Sequence, residues 1–186
     1  MSLTNFLVPT YTQMLQALSG WLEKAQKQSP DAEALLSARL APDMYPLSSQ
    51  IRFSCLQAQE ATFRLKGEPL PEFLDQLASE GQNAGEQPGS ISDAQGRISE
   101  ALSLLDDLEP DALDTGAQQS ITLELPNGMI FDMNGEQYAR DWSMPQFYFH
   151  LNTAYAILRN QSIELGKADY VQHMFAYLRP GSAPEN

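Results

Sequence analysis

Cysteine is nearly absent from the 186-residue chain, cations are scarce, and no apolar run is long. The single Cys55 closes no intramolecular disulfide, which removes the disulfide-stapled class and suits a reducing compartment. Eleven Lys and Arg against 24 Asp and Glu leave a net charge of −13, a field that repels phosphate backbones and anionic lipid. Nucleic acid is therefore not expected as a partner. No stretch approaches the roughly 18 apolar residues of a membrane span, and Met1 to Phe6 lacks the basic start and apolar run of a leader. The expectation is a cytoplasmic chain without membrane attachment. Neither a glycine-rich phosphate loop nor a Gly-x-Ser-x-Gly elbow occurs. What is present is 42% hydrophobic content, enough at this length for a core without staples.

The apolar residues fall mostly at helical spacing. Leu7, Tyr11, Met14, Leu15, Leu18, Trp21, Leu22 and Ala25 paint one face of a first helix over 3–28. Ser29-Pro30-Asp31 breaks it, 31–40 forms a short helical turn at most, and Pro42 and Pro46 enforce extended or turn backbone before a second helix that Pro46 opens. Leu47, Ile51, Cys55, Ala58, Thr62 and Leu65 stripe that helix, and Gly67 ends it. Phe73 to Leu77 is a brief apolar piece, and 79–90 reads as loop. A third helix follows from Ile91 to Leu108, capped by Ser90 or Ser92; the acids Asp106, Asp107 and Glu109 at its end oppose the helix dipole. Two alternating strands, 121–125 and 129–133, flank Asn127-Gly128 as a hairpin, with Ile121, Leu123 and Leu125 or their alternates expected inside. Asn134 caps a fourth helix reaching Asn160, in which Pro145 bends the helix or frees a carbonyl near Ser143 or Asp141; a short helix starts at Gly166. The expected organisation is one domain over 1–178 with a frayed tail at 179–186. Four long helices and one hairpin make a helix bundle, with an α+β domain built on the hairpin as the other arrangement.

Chemistry-bearing residues are few. Gln146 and His150, four apart, share a helix face just beyond Pro145. An imidazole there is a hydrogen-bonded interior histidine, a ligand-binding or catalytic group, or a metal ligand. Asp43, Tyr45 and Gln50 cluster at the entry to the second helix, where Asp43 either caps it or joins Gln50 in facing the Gln146/His150 turn across the bundle. Asp169 and His173 repeat the four-residue spacing and read as a surface pair, while Cys55, within an apolar stripe, reads as a buried structural thiol. The aromatics Trp142, Phe147, Tyr148, Phe149 and Tyr155 are more than one stripe needs, which suggests a homodimer through the fourth helix.

Four segments carry a family resemblance: Arg39 to Leu47, Pro145-Gln146-Phe147-Tyr148-Phe149-His150, Thr153 to Arg159, and Gly166-Lys167-Ala168-Asp169-Tyr170. Together they resemble the bacterial domain-of-unknown-function family nineteen-ninety-three, in the DinB/YfiT-like superfamily. The resemblance implies an all-α, up-down-down-up four-helix bundle, often dimeric, with the small β-hairpin inserted between helices three and four. It also implies a divalent nickel or zinc ion on three histidines, one from helix two and two from a His-x-x-x-His turn on the last long helix. Relatives include transferases and isomerases that use bacillithiol, mycothiol or glutathione. Here His150 matches the second histidine of the turn, Gln146 stands at the first, and Gln50 lies near the helix-two ligand. The expectation is a small-molecule pocket lined by Asp43, Gln50, Gln146 and His150 around a degenerate metal site in which His150 is the remaining ligand. A thiol-dependent transferase or isomerase, and a non-catalytic dimeric scaffold, are the alternatives.

Overall fold

The computed structural model describes residues 2–182. Among the described residues, seven α-helices and one hairpin follow in order: α1 (Leu3–Gln28), α2 (Leu47–Lys66), α3 (Glu72–Asn83), α4 (Ile91–Asp106), β1 (Ser120–Glu124), β2 (Ile130–Asn134), α5 (Gly135–Gln137), α6 (Met144–Asn160) and α7 (Lys167–Tyr170). Short 3-10 turns at Glu33–Ser37, Asp114–Gln118 and Gln172–Tyr177 complete it. The bundle is α1, α2, α4 and α6. α2 runs through its middle, packed on α6 along one side and on α3 and α4 along the other, while α1 closes against α4 and α6.

Local chemistry accounts for most boundaries. Ser2 caps α1 by accepting from the Asn5 N–H, and Asp114 Oδ1 accepts from the Thr4 N–H at 2.9 Å, tying the start of α1 to the distant turn. Gly67 ends α2 in the left-handed conformation, at φ 70. Ser90 and Asp93 form a reciprocal capping box on α4, which settles Ser90 as the cap. Asn134 and Gln137 do the same for α5. The hairpin turns at Asn127-Gly128 in the register Ile121↔Met133 and Leu123↔Phe131. Ile121 and Leu123 are buried as expected, Leu125 is half-buried, and most of β2 lies exposed.

Three expectations need correction. The segment read as a brief apolar piece and loop is largely helix, since α3 continues to Asn83. Leu74, Leu77 and Gly81 turn inward along it, and a Cβ on Gly81 would stand 2.5 Å from the Phe53 ring, so only glycine lets α3 lie this close to α2. Pro145 does not interrupt a regular helix. It sits at the start of α6, and Tyr138–Ser143 before it is wound as π-helix, with the Met144 N–H reaching back to Ala139 O. The wider turn absorbs a proline that lacks an N–H and crowds the carbonyl four residues back. Asp43 does not cap α2; it is exposed, and Pro46 holds the cap position without a side-chain hydrogen bond.

A second close approach sits below the hairpin. Gly116, in the 3-10 turn, lies against the Leu65 carbonyl, and Gly135 lies against the Gly116 carbonyl. Any side chain at either position would collide with backbone, so this stack seats the hairpin and the start of α5 on the end of α2. Positions 183–186 of the expected tail lie outside the described residues, and residues 179–182 are exposed.

Candidate functional site

α2 is polar in sequence yet buried in structure. Ser48, Ser49, Gln50, Arg52, Ser54, Gln59 and Thr62 are all covered, because every side of this helix meets another element. Such groups are expected to find partners, and most do, although Ser49 Oγ and Arg52 Nε have none. Ser54 donates to the Gln50 carbonyl, Thr62 to the Gln59 carbonyl, and Gln59 to the Cys55 carbonyl. Gln50 is different, since its partners lie beyond α2.

The Gln50 Nε2 donates to the Tyr45 carbonyl at 3.1 Å, and its Oε1 stands 2.9 Å from Nδ1 of His150. A backbone carbonyl only accepts, so the amide orientation is set at Tyr45 and Oε1 must face the histidine. The ring then donates from Nδ1–H. In the neutral ring this leaves Nε2 unprotonated, and no protein donor reaches it among the described residues. Burial alone pushes His150 down to about 4, so the neutral form prevails at ordinary pH.

Aromatic rings frame the imidazole. Phe53 lies 5.0 Å from it and Phe149 5.3 Å, centroid to centroid, and Tyr45 meets Phe53 edge-on at 5.2 Å. Gln146, one turn before His150, is half-buried. Of the four residues expected in the pocket, the structure joins Gln50 and His150 directly, leaves Gln146 on the same helix face, and leaves Asp43 exposed. Five surface cavities elsewhere on the molecule do not include any of the four. The Gln50–His150 notch is thus a half-buried contact of neutral groups between α2 and α6, outside those five cavities. Phe53 and the Tyr45 carbonyl were not singled out from sequence, because neither carries a chemical signature of its own.

Other candidates resolve simply. Cys55 is fully buried and its thiol is pushed up to about 12 by burial, as befits a structural thiol. Asp169 pairs with Lys24 at 2.5 Å and caps α7 at Gly166, so it is not partnered with His173. His173 instead borders a cavity beside Gln13, Gln16 and Glu23 of α1. The aromatic surplus of the fourth helix is used largely inside the chain. Phe147 packs edge-on against Tyr11, Tyr155 on Trp21 and Tyr170, and Tyr148 on Phe147, leaving Phe149 exposed. The Tyr11 hydroxyl shares a 2.7 Å hydrogen bond with Ser143 of the π-helical turn.

The family model for a domain of unknown function, DUF1993, matches residues 3–171. The chain belongs to this family. A crystal structure of a DinB family member protein from Shewanella denitrificans is similar to it over 98% of this chain and 96% of that one, at 27% identity and a TM-score of 0.72. The bundle is thus DinB-like. No curated protein matches the chain.

The divalent ion implied by the superfamily resemblance meets an unsuitable donor set in this DUF1993 protein. Among the described residues no group of three or more His, Cys, Asp or Glu stands together as a metal site. At the notch the Gln50 oxygen is engaged by the ring it would have to join in ligation, and His150 is the lone imidazole. One imidazole and neutral amides do not make a nickel or zinc site of ordinary strength. Among the described residues, no helix is long and apolar enough to cross a membrane.

Proposed function

We propose that this DinB-like protein binds a small molecule at the Gln50–His150 notch without a metal ion. The unprotonated Nε2 of His150 accepts a hydrogen bond from the ligand, the rings of Tyr45, Phe53 and Phe149 cover its flat apolar part, and Gln146 offers a neutral amide. The observation that carries this reading is the doubly anchored Gln50 amide, which holds the imidazole in one tautomer. Such an arrangement suits a neutral aromatic with one hydrogen-bond donor better than an ionic ligand, because burial is the sole cause of the lowered His150 pKa. A thiol-dependent transferase would need a group that stabilises a thiolate, and the amides and rings around His150 supply none. The homodimer is proposed on the exposed Phe149 beside the notch, with light scattering as its test.

The test combines elemental mass spectrometry, with nickel and zinc offered at micromolar levels, and an NMR screen of phenols, anilines and indoles. The expected result is no stoichiometric metal and at least one aromatic that shifts the His150 ring resonances and fails to bind His150→Ala. One equivalent of metal that disappears in His150→Ala would overturn the reading, as would a ligand response indifferent to that change.

A further inference from the structure

On the other side of α2 lies a site of opposite character. Arg52 is two residues from Gln50 and so points about 200° away around the helix. It is 4% exposed, and it reaches a cavity of about 440 Å3 between α2, α3 and α4, bordered by Glu80, Asp93, Gly96, Arg97 and Glu100. Its Nη1 donates to the Ser48 carbonyl at 3.1 Å. Its Nε is buried without a hydrogen-bond partner, 3.5 Å from Glu80 Oε2. Room for the guanidinium comes from Gly89, where a Cβ would stand 2.8 Å from Nη2. Glu80 meets this nearly covered cation as a counter-ion at 3.5 Å but without a hydrogen bond to Nε, so the guanidinium is only partly satisfied at the wall of the cavity.

The rest of the wall divides by sign. Arg97 is neutralised within the wall: Nε and Nη2 hold both oxygens of Glu80, and Nη1 donates to Glu100 Oε2 at 2.8 Å. Asp93 spends Oδ2 on the Ser90 N–H and hydroxyl, which leaves Oδ1 free, and Glu100 keeps Oε1 free. The groups without a hydrogen bond are thus Nε and Nη2 of the buried Arg52 and two oxygens of the exposed carboxylates Asp93 and Glu100. A lone anion would face these acids and a protein of net charge −13, and a lone cation would face Arg52. A molecule carrying both charges satisfies both.

Gly96 points the same way. It lies inside α4, where glycine is a poor helix former, and a Cβ on it would touch nothing within 4 Å. No packing requires this glycine. Asp93, Gly96, Arg97 and Glu100 fall at successive turns of one face, so its missing side chain leaves that exposed wall of the cavity open.

We propose that the Arg52 cavity binds a small zwitterion of the free amino-acid class, its carboxylate on Arg52 and its ammonium between Asp93 and Glu100. The test is an NMR titration of the full chain with each L-amino acid, with acetate and methylammonium as single-charge controls. It is repeated on Gly96→Leu and Arg52→Met. At least one amino acid should shift the amide resonances of α4 at millimolar or lower concentration, and neither control should do so. Gly96→Leu should melt no lower than the parent and bind at least tenfold more weakly, which keeps the test decisive if Arg52→Met fails to fold. No response to any amino acid up to 10 mM, equal binding of acetate alone, or binding unchanged in Gly96→Leu would each overturn the proposal. None of these outcomes depends on the aromatic notch at His150.

Discussion

The two faces of α2 solve the burial of polar groups in different ways. Toward α6, Gln50 and His150 are neutral and satisfy one another at fixed geometry. Toward α3 and α4, Arg52, Glu80 and Arg97 remain charged and share one network. Neutral hydrogen bonds are short-ranged and insensitive to salt, whereas ion pairs couple over several ångströms and respond to ionic strength. One buried helix thus offers a notch suited to a neutral ligand and a cavity suited to a charged one. Phe53 stands between the two, with one side on His150 and another on Gly81 of α3.

The sharpest way to break this separation is Gly81→Val. Its side chain would drive the Phe53 ring toward His150, and overpacking of this kind costs about 3 kcal/mol. Denaturant unfolding should show the loss, and the His150 ring nitrogens should shift in the NMR spectrum. A stability loss with no change at His150 would mean that the faces are independent.

Acid should distinguish them next. Above the ordinary histidine pKa of about 6.5, folded and unfolded chains are both neutral at His150 and stability is complete. Between there and about 4 the unfolded chain takes up a proton that the folded notch refuses, so stability falls as pH drops and the slope ends near 4. The expected loss is about 2 kcal/mol after allowance for the partial exposure of the ring. His150→Gln should flatten that segment of the pH profile. Asp114 and Asp169, held below the usual carboxylate range by the Thr4 N–H and by Lys24, act in a lower window.

Gln50→Ala removes the shared amide and should cost about 1 kcal/mol, with the imidazole released to a mixture of tautomers visible in its nitrogen shifts. A histidine that keeps the single Nδ1–H form in this variant would show that Gln50 does not orient it. The smallest effect belongs to the exposed edge of the charged face. Glu100→Gln loosens an ion pair with Arg97 and should cost about 0.5 kcal/mol at low salt and nothing measurable in 1 M sodium chloride.

Much of the bundle was legible along the chain. The stripe from Leu7 to Ala25, the capping serine at position 90, the Asn127-Gly128 turn and Asn134 as a cap depend on neighbours within a few residues, and each is found where local chemistry puts it. α3 was missed because its inward residues Leu74, Leu77 and Gly81 are few, and the glycine that favours a loop locally is demanded by the Phe53 ring 28 positions earlier. Pro145 was read as a bend or a freed carbonyl, and spacing along the chain did not reveal that the preceding turn meets the proline by widening. Gln146 and His150 could be placed on one face by spacing, and the resemblance pointed to Gln50. Spacing could not supply the Tyr45 carbonyl that orients the amide.

The sequence by itself determined the four long helices of the bundle, where most of them start and stop, that the thiol belongs to the core, and the family to which the chain belongs. These follow from periodicity, capping and motif, all read over a turn or two of chain. Only the tertiary structure decided that α2 is surrounded on every side, that one of its polar faces stays neutral and the other charged, and that Gly96 opens a cavity rather than a packing contact. Those outcomes rest on side chains from separate helices meeting at ångström distances, and no window of residues along one helix contains that information.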